Sequence, residues 1–430
     1  MIALYTLLTT IIAIVLYPVG MVMALMGRPE LHLRLNPPSV SGSDGALRLW
    51  IHAASVGEAG IAYSMAGEVK KVNPDSLVFV STITSTGLQR VISLNESRDE
   101  KYVDHAFLAP VDSPLITNKF VRRIAPTAMI IVETEIWPSL IRSMGREGVP
   151  ITIINGKLGR RSFRRYMYFR FVFKKIVRDI SLICVQSRSF SKRFSLLGVP
   201  RERIETIGNI KFDSLPKPSD YDKNTLRNDF GIPGDAHVFV AGSTRPGEER
   251  VLIRSFAEIA GKKPGAVLVL VPRHLKRVAE IEKLLEDAGL GYIKRTSGER
   301  LESSGKSVLI LDTMGELLSM FACGDVAFVG GSLMNFGGHN PMEPAALGVP
   351  VLFGPYMEQT GSKELLAEGA AALVHDNTEL TAKIESLFAN HDNRMQMGTA
   401  GTVVVDRFKG TLLRTLKCMK DRGLIPFSSL

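Results

Sequence analysis

The chain has 430 residues, 45% hydrophobic and 22% charged, a globular composition that excludes wholesale disorder. Its three cysteines lie far apart and form no Cys-x-x-Cys pair, which excludes a disulfide scaffold and a zinc site readable from the sequence. The 53 Lys and Arg residues against 43 Asp and Glu residues give a formal charge of +10, which indicates an anionic partner such as nucleic acid, anionic lipid or a phosphorylated substrate.

The first 27 residues carry no charged side chain and are mostly apolar, which predicts a membrane-anchoring helix over 1–27. A basic n-region and a cleavage site of a signal peptide are not evident there. Basic residues follow the segment at Arg28, Arg34 and Arg48, so the positive-inside rule leaves the remaining chain in the cytoplasm. Pro18 and Gly20 weaken a straight spanning helix, and the alternatives are an interfacial helix or one docked on the protein.

Short apolar, β-branched runs then alternate with amphipathic stretches, a pattern typical of parallel sheets built from βαβ units. In the first half the predicted strands are Leu49–His52, Leu77–Ser81, Ala128–Val132, Ile151–Ile154 and Ser181–Val185. In the second half they are His237–Ala241, Ala266–Val271, Val308–Leu311, Val326–Val329 and Val349–Phe353. Helical patterns such as Gly247–Ile259 and Leu275–Asp287 separate them. The sequence therefore predicts an α/β protein with two Rossmann-like, doubly wound domains that face each other across a cleft.

The polar, Pro-containing segment Asp213–Lys223 predicts the boundary between these domains. We expect a first domain over 28–213 and a second over 214–430, with the last helix free to cross back to the first domain. Ligands of such sheets bind beyond the carboxyl ends of the strands, so the segments that follow the strands are the candidates for the site.

Acidic residues follow two strands of the first half. Glu58 is expected at the beginning of the helix after Leu49–His52, where a carboxylate can take a proton from a sugar hydroxyl. The alternative is a glutamate favoured there only by the helix dipole. Glu133 and Glu135 follow Ala128–Val132 and share one face if the strand continues. Two such acids indicate a functional site, although a helix-capping pair is the alternative.

Basic residues complete the candidates of the first half. Lys211, in the segment Gly208–Asp213, is placed to stabilise developing negative charge, or else is a solvated hinge lysine. The stretch Lys157–Lys175 combines basic and aromatic residues without an acid. This combination suits anionic headgroups at a membrane and could also bind nucleic acid, but the apolar N-terminus favours the membrane. A solvated helix face with core aromatics is the alternative.

Phosphate-binding signals lie in the second half. Arg273 follows Pro272 at the end of a strand, a position that suits an arginine that binds phosphate. The alternative is a surface arginine that begins a helix. Asp312 or Thr313 is expected to cap a helix whose first turn contains Met314, Gly315 and Glu316. Free amides there would bind an anion, and an ordinary capped helix is the alternative.

The segment Val329–Pro355 is the densest in glycine and polar groups. After a strand it carries two glycine pairs and then His339, Asn340, Pro341, Met342 and Glu343, ahead of a small-residue helix over Pro344–Leu347. Glycines let the backbone approach a ligand, and the Glu343 carboxylate can accept two hydrogen bonds from a ribose diol. This segment is interpreted as a ligand loop.

Taken together, seven segments closely resemble, in order, the 3-deoxy-D-manno-octulosonic acid (Kdo) transferases of lipopolysaccharide synthesis. These segments are Ala54–Glu58, Glu133–Pro138, Gly208–Asp213, Gly242–Glu249, Val271–His274, Asp312–Leu317 and Gly337–Pro355. The resemblance implies a GT-B fold and CMP-Kdo as the donor. It also implies the tetraacyl disaccharide 1,4'-bisphosphate precursor of lipid A (lipid IVA) as the acceptor, at the cytoplasmic face of the inner membrane of a Gram-negative bacterium.

Residue by residue, the resemblance implies that Glu58 is the general base and that Glu133 and Lys211 stabilise the transition state. It implies CMP contacts at Pro272, Arg273, Met314, Gly315, Glu316, Asn340, Pro341, Met342 and Glu343. The expected reaction is an inverting transfer of Kdo that releases CMP and needs no metal or cofactor, with no nucleic acid as a partner.

Two other functions remain open at this point. One is a different nucleotide-sugar enzyme of the same fold, such as an epimerase, which would not need a lipid acceptor. The other is a non-catalytic membrane protein that binds anionic lipid through Lys157–Lys175.

Overall fold

A computed structural model describes residues 2–40, 47–97, 99–301 and 306–426. The chain divides into two compact units, one of Met1–Asp213 with Gly410–Leu430 and one of Ser214–Lys409. The C-terminal segment therefore belongs with the first unit. The sequence had left open whether the last helix crosses back to that unit.

The first unit is built on one parallel sheet. Its strands are β1 (Arg48–Ala53), β2 (Leu77–Thr82), β3 (His105–Leu108), β4 (Ala128–Val132), β5 (Ile151–Gly156), β6 (Leu182–Val185) and β7 (Ile204–Thr206). They form a seven-stranded sheet in the order β3-β2-β1-β4-β5-β6-β7. The chain order reverses between β1 and β4, so the carboxyl ends of these two strands flank the position where such sheets bind ligands.

Helices cover both faces of this sheet. They are α1 (Ile2–Leu25), α2 (Glu30–Leu35), α3 (Val56–Val72), α4 (Ser85–Glu96), α5 (Pro114–Ile124), α6 (Pro138–Arg146), α7 (Arg160–Tyr168), α8 (Arg170–Ile176) and α9 (Arg188–Leu196), with 3-10 turns at Val177–Asp179, Arg201–Arg203 and Ile210–Ser214. Because side chains alternate along a strand, Trp50 enters one buried cluster while its neighbours Leu49 and Ile51 enter the other. The sheet is therefore buried on both faces, as parallel sheets are.

Helix α1 lies against the first unit along one face. Its segment Tyr5–Leu25 is long and apolar enough to cross a membrane. The hydroxyl of Tyr5 donates to Oδ2 of Asp112 at 2.6 Å, while Ala13 is fully buried with Leu35 in the core. The opposite face exposes Leu7, Leu8, Ile11, Ile12, Ile14, Val15, Val19, Met21 and Val22. The helix is thus docked on the protein along one face and apolar on the other.

The second unit repeats this architecture. Its strands are β8 (His237–Thr244), β9 (Ala266–Pro272), β10 (Tyr292–Lys294), β11 (Val308–Ile310), β12 (Val326–Val329), β13 (Val351–Phe353) and β14 (Ala371–Leu373). They form a parallel seven-stranded sheet in the order β10-β11-β9-β8-β12-β13-β14. Here the reversal of chain order lies between β8 and β12.

The helices of this unit again lie on both faces. They are α10 (Lys223–Asp229), α11 (Glu248–Lys262), α12 (Val278–Asp287), α13 (Leu317–Cys323), α14 (Met342–Ala346), α15 (Ser362–Ala367), α16 (Asn377–Ala389) and α17 (His391–Phe408), with 3-10 turns at Pro218–Asp220, Leu275–Arg277 and Arg295–Ser297. The chain then returns to the first unit as α18 (Thr411–Asp421), whose Leu412 and Leu416 join a core cluster of that unit. Oxygens of the Asp213 carboxylate accept from the amides of Thr411 and Leu412 and fix the beginning of α18.

Candidate functional site

Three candidate residues of the first unit meet at one edge of its sheet. Glu58 follows β1, Glu133 follows β4, and Lys211 lies on the 3-10 turn after β7. Nζ of Lys211 lies 3.2 Å from Oε1 of Glu133. The charges of Glu133 and Lys211 both act on the Glu58 carboxyl. The sheet therefore gathers the three candidates, although they are far apart in sequence.

Glu58 exchanges hydrogen bonds with the residues at the beginning of its own helix, α3. Ser55 is the N-cap, and its hydroxyl accepts from the amide of Glu58 at 3.4 Å. In return, Glu58 Oε2 accepts from the amide of Ala54 at 2.7 Å and Oε1 accepts from the Ser55 hydroxyl at 3.0 Å. The carboxylate is thus held at its own helix terminus, where the alternative of a glutamate favoured by the helix dipole would also place it. Capping does not exclude catalysis, because it also fixes the carboxylate at the edge of the sheet.

The Glu58 carboxyl has a raised pKa. Burial is the main cause, the nearby charge of Glu133 raises the pKa further, and the hydrogen bond from Ala54 and the charge of Lys211 lower it. Glu58 is only 8% exposed. A raised pKa makes the carboxylate a better proton acceptor than an ordinary glutamate, which suits a general base.

Glu133 adopts a strained backbone conformation. Strand β4 ends at Val132, and Glu133 has a φ of 60°, in the left-handed region that favours glycine. The buried carboxylate pairs with two lysines, through Oε1 with Lys211 at 3.2 Å and through Oε2 with Lys157 at 3.1 Å. Strain of this kind concentrates at functional sites.

The expectation that Glu133 and Glu135 share a face depended on a continuing strand, and it is wrong. Because the chain turns at Glu133, the alternation stops after Val132. Glu135 is half-buried, and its pKa is raised by burial first and then by the charges of Glu58 and Glu133. Glu133 is the carboxylate that binds the lysines.

Asn155 positions Lys211 and was not singled out from the sequence. It lies in β5 with a φ of 53°, and its Oδ1 accepts from the amide of Ile210 at 3.0 Å. This bond fixes the turn that carries Lys211. An asparagine directly after the apolar run Ile151–Ile154 is a signal that could have identified it, since asparagine tolerates the left-handed region.

A cavity of about 500 Å³ opens beside Glu133. It is lined by Tyr5, residues 133–138, residues 157–159, Ser162, Arg165 and Tyr166. The lining combines carboxylates, cations and aromatic faces, a combination that binds sugars and phosphates.

The basic stretch Lys157–Lys175 folds into α7 and α8 and divides its aromatics between core and solvent. Phe173 is buried, and Phe163 and Tyr166 pack on the same core. Tyr168, Phe169 and Phe171 are 83%, 47% and 88% exposed. The side chains of Arg160, Arg161, Arg164, Arg165, Arg170, Lys174 and Lys175 are also exposed. The alternative of a solvated helix face with core aromatics does not account for these three exposed aromatic side chains.

In the second unit, a buried carboxylate organises the glycine-rich loop after β12. Glu248, at the beginning of α11, is fully buried. Its Oε1 accepts from the amides of Ser332 and Leu333, each at 2.9 Å. Its Oε2 accepts from the amides of Gly331 at 2.7 Å and Arg245 at 2.9 Å. One carboxylate therefore ties the turn after β8 to the loop after β12.

Cations and imidazoles gather at the same sheet edge. Arg245 donates from Nε to His339 Nε2 at 3.3 Å, and its Nη1 lies 2.9 Å from His274 Nε2. Arg273 follows Pro272, the last residue of β9, and is exposed. Burial and then the charges of Arg245 and Arg273 lower the pKa of His339 to about 4, so the imidazole is neutral at pH 7. The cluster offers arginine charge to an anion.

The candidates Asn340 to Glu343 form the turn into α14. Asn340 Oδ1 accepts from the amide of Met342 at 3.2 Å, and Asn340 Nδ2 donates to Glu343 Oε1 at 3.1 Å. Pro341 is the N-cap, so the helix begins at Met342, earlier than the expected Pro344–Leu347. Burial raises the pKa of Glu343, while Asn340 and the charge of Arg273 lower it. Glu343 therefore lies within the electrostatic influence of Arg273.

The expected helix start at Met314 to Glu316 is wrong. Helix α13 begins at Leu317, with Glu316 as its N-cap. Asp312 instead accepts from the amide of Thr296 at 3.0 Å. Gly315 has a φ of 91°, so the three candidates form a turn before the helix in which Met314 and Gly315 are exposed and Glu316 is partly exposed. They still follow β11, next to β9 in the sheet, and so share the edge with Arg273.

Within the described ranges, no group of three or more His, Cys, Asp or Glu side chains could hold a metal ion.

The chain is similar to known proteins over most of its length. A family model described as 3-deoxy-D-manno-octulosonic-acid transferase matches residues 28–214. The 3-deoxy-D-manno-octulosonic acid transferase of Haemophilus influenzae is 33% identical over 377 residues, which cover 86% of each chain. A bifunctional glycosyltransferase/methyltransferase of Fusobacterium nucleatum is 34% identical over 79% of this chain and 52% of that protein. This chain thus spans about half the length of that relative.

A solved structure shares the fold. The UDP-GlcNAc 2-epimerase of Neisseria meningitidis, bound to UDP-GlcNAc, matches with a TM-score of 0.61 over 86% of this chain and 99% of that chain. At 16% sequence identity, this likeness shows only the α/β architecture of GT-B type. The sequence identity with the Haemophilus protein decides the family: the chain is a glycosyltransferase that belongs to the 3-deoxy-D-manno-octulosonic acid transferases.

Proposed function

We propose that this protein transfers Kdo from CMP-Kdo to the tetraacyl disaccharide bisphosphate precursor of lipid A and releases CMP. The observation that carries the proposal is the grouping of Glu58, Glu133 and Lys211 at the switch point of the first sheet. A general-base carboxylate beside a paired cation is what an inverting transfer to a sugar hydroxyl needs.

Glu58 is assigned the role of the base. Its carboxylate accepts the proton of the acceptor hydroxyl, and the freed oxygen attacks the anomeric carbon of Kdo. The bond from that carbon to the phosphate oxygen of CMP breaks, so that CMP leaves as a phosphate monoester. Because attack and departure take place on opposite faces of the sugar, the configuration inverts.

Glu133 and Lys211 are assigned to the charge that develops during this step. The Glu133 carboxylate holds the Lys211 ammonium at 3.2 Å. A cation held in place before the reaction stabilises negative charge without reorganisation.

The donor is assigned to the second unit. Arg273, with Arg245 in the turn after the adjacent strand β8, matches the phosphate of CMP. Asn340 and Glu343 match a ribose, because a carboxylate accepts hydrogen bonds from a diol. The Gly315 turn lets the backbone approach the nucleotide, and Pro272, Pro341 and Met342 complete its contacts.

The acceptor is assigned to two cavities of the first unit. Its sugar enters the cavity beside Glu133, where Lys157 and Arg165 match the nearer phosphate. A second cavity of about 490 Å³ shares Tyr5 and Pro138 with the first and is lined by Arg142, Arg146 and Lys175. The described lining of this second cavity includes no carboxylate, which suits the farther phosphate.

Membrane attachment follows from the same unit. The apolar face of α1 and the exposed aromatics of α7 and α8, with their cations, are assigned to the interface of an anionic membrane. With Arg28 and Arg34 after α1, we place the protein at the cytoplasmic face of the inner membrane.

Mass spectrometry of the lipid product tests the proposal. The full-length protein would be incubated with CMP-Kdo and the acceptor in the presence of EDTA. A mass gain of one or more Kdo units that disappears in Glu58→Gln supports the transferase. An epimerase would convert a nucleotide sugar without the lipid, and a lipid-binding scaffold would leave the lipid mass unchanged; either result contradicts the proposal.

A further inference from the structure

The N-terminal helix lines the candidate acceptor site, and Tyr5 is its residue that lines both cavities. Tyr5, at the beginning of the segment long enough to cross a membrane, lines the cavity beside Glu133 and the second cavity as well. An anchor that only attaches a protein to a membrane does not need to form the wall of its substrate cavity.

Tyr5 makes a specific bond at this place. Its hydroxyl donates to Oδ2 of Asp112 at 2.6 Å, across 107 positions of the sequence. Asp112 is only 8% exposed. A hydrogen bond to a buried carboxylate is among the stronger ones in proteins, so this contact fixes both side chains.

Asp112 in turn caps α6. Its Oδ2 accepts from the amide of Ser139 at 3.1 Å, and its Oδ1 accepts from the amide of Leu140 at 2.9 Å. These amides belong to the first turn of α6, where backbone donors lack partners within the helix. Trp137 at the N-cap has an indole N–H donor rather than an acceptor to offer them. A carboxylate from elsewhere in the fold therefore does the work of an N-cap.

The segment 133–137 connects strand β4 to α6, so whatever fixes the beginning of α6 fixes one end of this segment. Its first residue is the strained, lysine-paired Glu133. Its Ile136 and Trp137 line the cavity with Tyr5. The hydrogen bonds from Tyr5 to Asp112 and from the first turn of α6 to Asp112 thus connect α1 to the wall of the acceptor cavity.

We propose that Tyr5 is a positioning residue of the acceptor site. Its hydroxyl holds Asp112 in the orientation that caps α6, and this cap fixes the segment 133–137 around the acceptor. Helix α1 is thereby part of the site as well as a membrane attachment. The inference rests on the proposed function for its substrate and on the geometry for its mechanism.

The variant Tyr5→Phe tests this, because it removes the hydroxyl and keeps the ring. Its matched control is Tyr17→Phe, on the same helix, which removes a hydroxyl that donates to Asn36 Oδ1 at 3.1 Å. With full-length protein in lipid vesicles, Tyr5→Phe should raise KM for the acceptor about three- to tenfold. KM for CMP-Kdo and the vesicle-bound fraction should stay within about twofold, and Tyr17→Phe should resemble the wild type.

A second measurement does not depend on activity. Amide hydrogen exchange of the peptide 133–146 should become faster in Tyr5→Phe and stay unchanged in Tyr17→Phe. Asp112→Asn should give the same faster exchange, and the double variant should add little to it, because both act on one cap. Unchanged exchange and acceptor KM in Tyr5→Phe, or equal changes in Tyr17→Phe, would overturn the proposal. Absence of Kdo transfer by the wild type would instead overturn the proposed function, while the exchange experiment would still decide the role of Tyr5.

Discussion

The ammonium of Lys211 lies 3.2 Å from the carboxylate of Glu133, although 78 positions separate the two residues in sequence. Lys211→Met removes this cation and keeps a side chain of similar length. We expect kcat to fall about 10²-fold, the loss typical when one preorganised electrostatic group is removed.

Lys262→Met is the control for this experiment, since it removes an ion-paired lysine from an exposed site, where Lys262 binds Glu385 at 2.9 Å. Its kcat should equal that of the wild type. A Lys211→Met enzyme with the activity of this control would show that Lys211 plays no part in the reaction. Steady-state rates with saturating donor and acceptor provide the measurement.

Glu58→Gln tests the base. The side-chain amide keeps one oxygen to accept from the Ala54 amide and an NH2 group to donate to the Ser55 hydroxyl, so both contacts at the helix terminus can be retained, but it cannot take a proton. We expect kcat/KM to fall about 10²- to 10⁴-fold, while the melting temperature stays within a few degrees. Glu68→Gln changes a partly exposed glutamate on the same helix, paired with Lys71 at 2.6 Å, and should leave both quantities unchanged. If the two variants are equally active, Glu58 only caps its helix.

The pH dependence gives an independent check of the same residue. Because burial raises the pKa of Glu58 above its ordinary 4.5, the rate should rise with pH through a limb that lies above 4.5. Glu133 raises and Lys211 lowers this pKa. Glu133→Gln should therefore move the limb to lower pH, and Lys211→Met should move it to higher pH. Profiles of kcat/KM with one substrate pair decide this, and identical limbs in all three enzymes would contradict the assignment.

Glu248 should determine the order of the glycine-rich loop. Glu248→Ala leaves four backbone amides, those of Arg245, Gly331, Ser332 and Leu333, without their carboxylate. We expect a loss of about 3 kcal/mol in the free energy of unfolding of the second unit and at least tenfold weaker CMP binding. Calorimetric melting and titration with CMP measure the two effects. Glu258→Ala, at an exposed site on the same helix, should change neither quantity. Unaltered CMP binding in Glu248→Ala would show that the glycine-rich loop does not contribute to nucleotide binding.

The sequence predicted the inner strands of both sheets, and these are confirmed. An inner strand of a parallel sheet is buried on both faces and so appears as a continuous apolar run, as in Ala128–Val132. The strands it missed, His105–Leu108, Ile204–Thr206, Tyr292–Lys294 and Ala371–Leu373, are the two edges of each sheet. Edge strands are short and partly exposed here, so their sequences lack that signal.

The residues of the candidate site also divide into those that the sequence predicted and those that it did not. Glu133 and Arg273 could be proposed because each directly follows an apolar run, and Glu58 because it lies in the first turn of the helix after one. The prediction from the local sequence is wrong for Asp312, which bonds to Thr296 instead of capping a helix. Asp112 and Tyr5 could not be found at all, since their importance comes from a contact that only the folded chain creates.

The farther phosphate of the acceptor gives the last prediction. Arg142 and Arg146 project from one face of α6 into the second cavity. Replacing both with alanine should raise KM about tenfold for the bisphosphate acceptor, since a phosphate loses its charged hydrogen bonds. For an acceptor that lacks this farther phosphate, the same variant should change KM less than about twofold, because there is no charge to lose.

A surface pair serves as the control for this comparison. Arg122 and Arg123, exposed on α5, line a different cavity. Their double alanine variant has the same change in net charge, so a general weakening of attraction to an anionic lipid would appear in it as well. The difference between the two acceptors should shrink as salt is added, because exposed charges are screened. Equal losses on both acceptors would show that the arginines bind the membrane surface rather than the farther phosphate of the substrate.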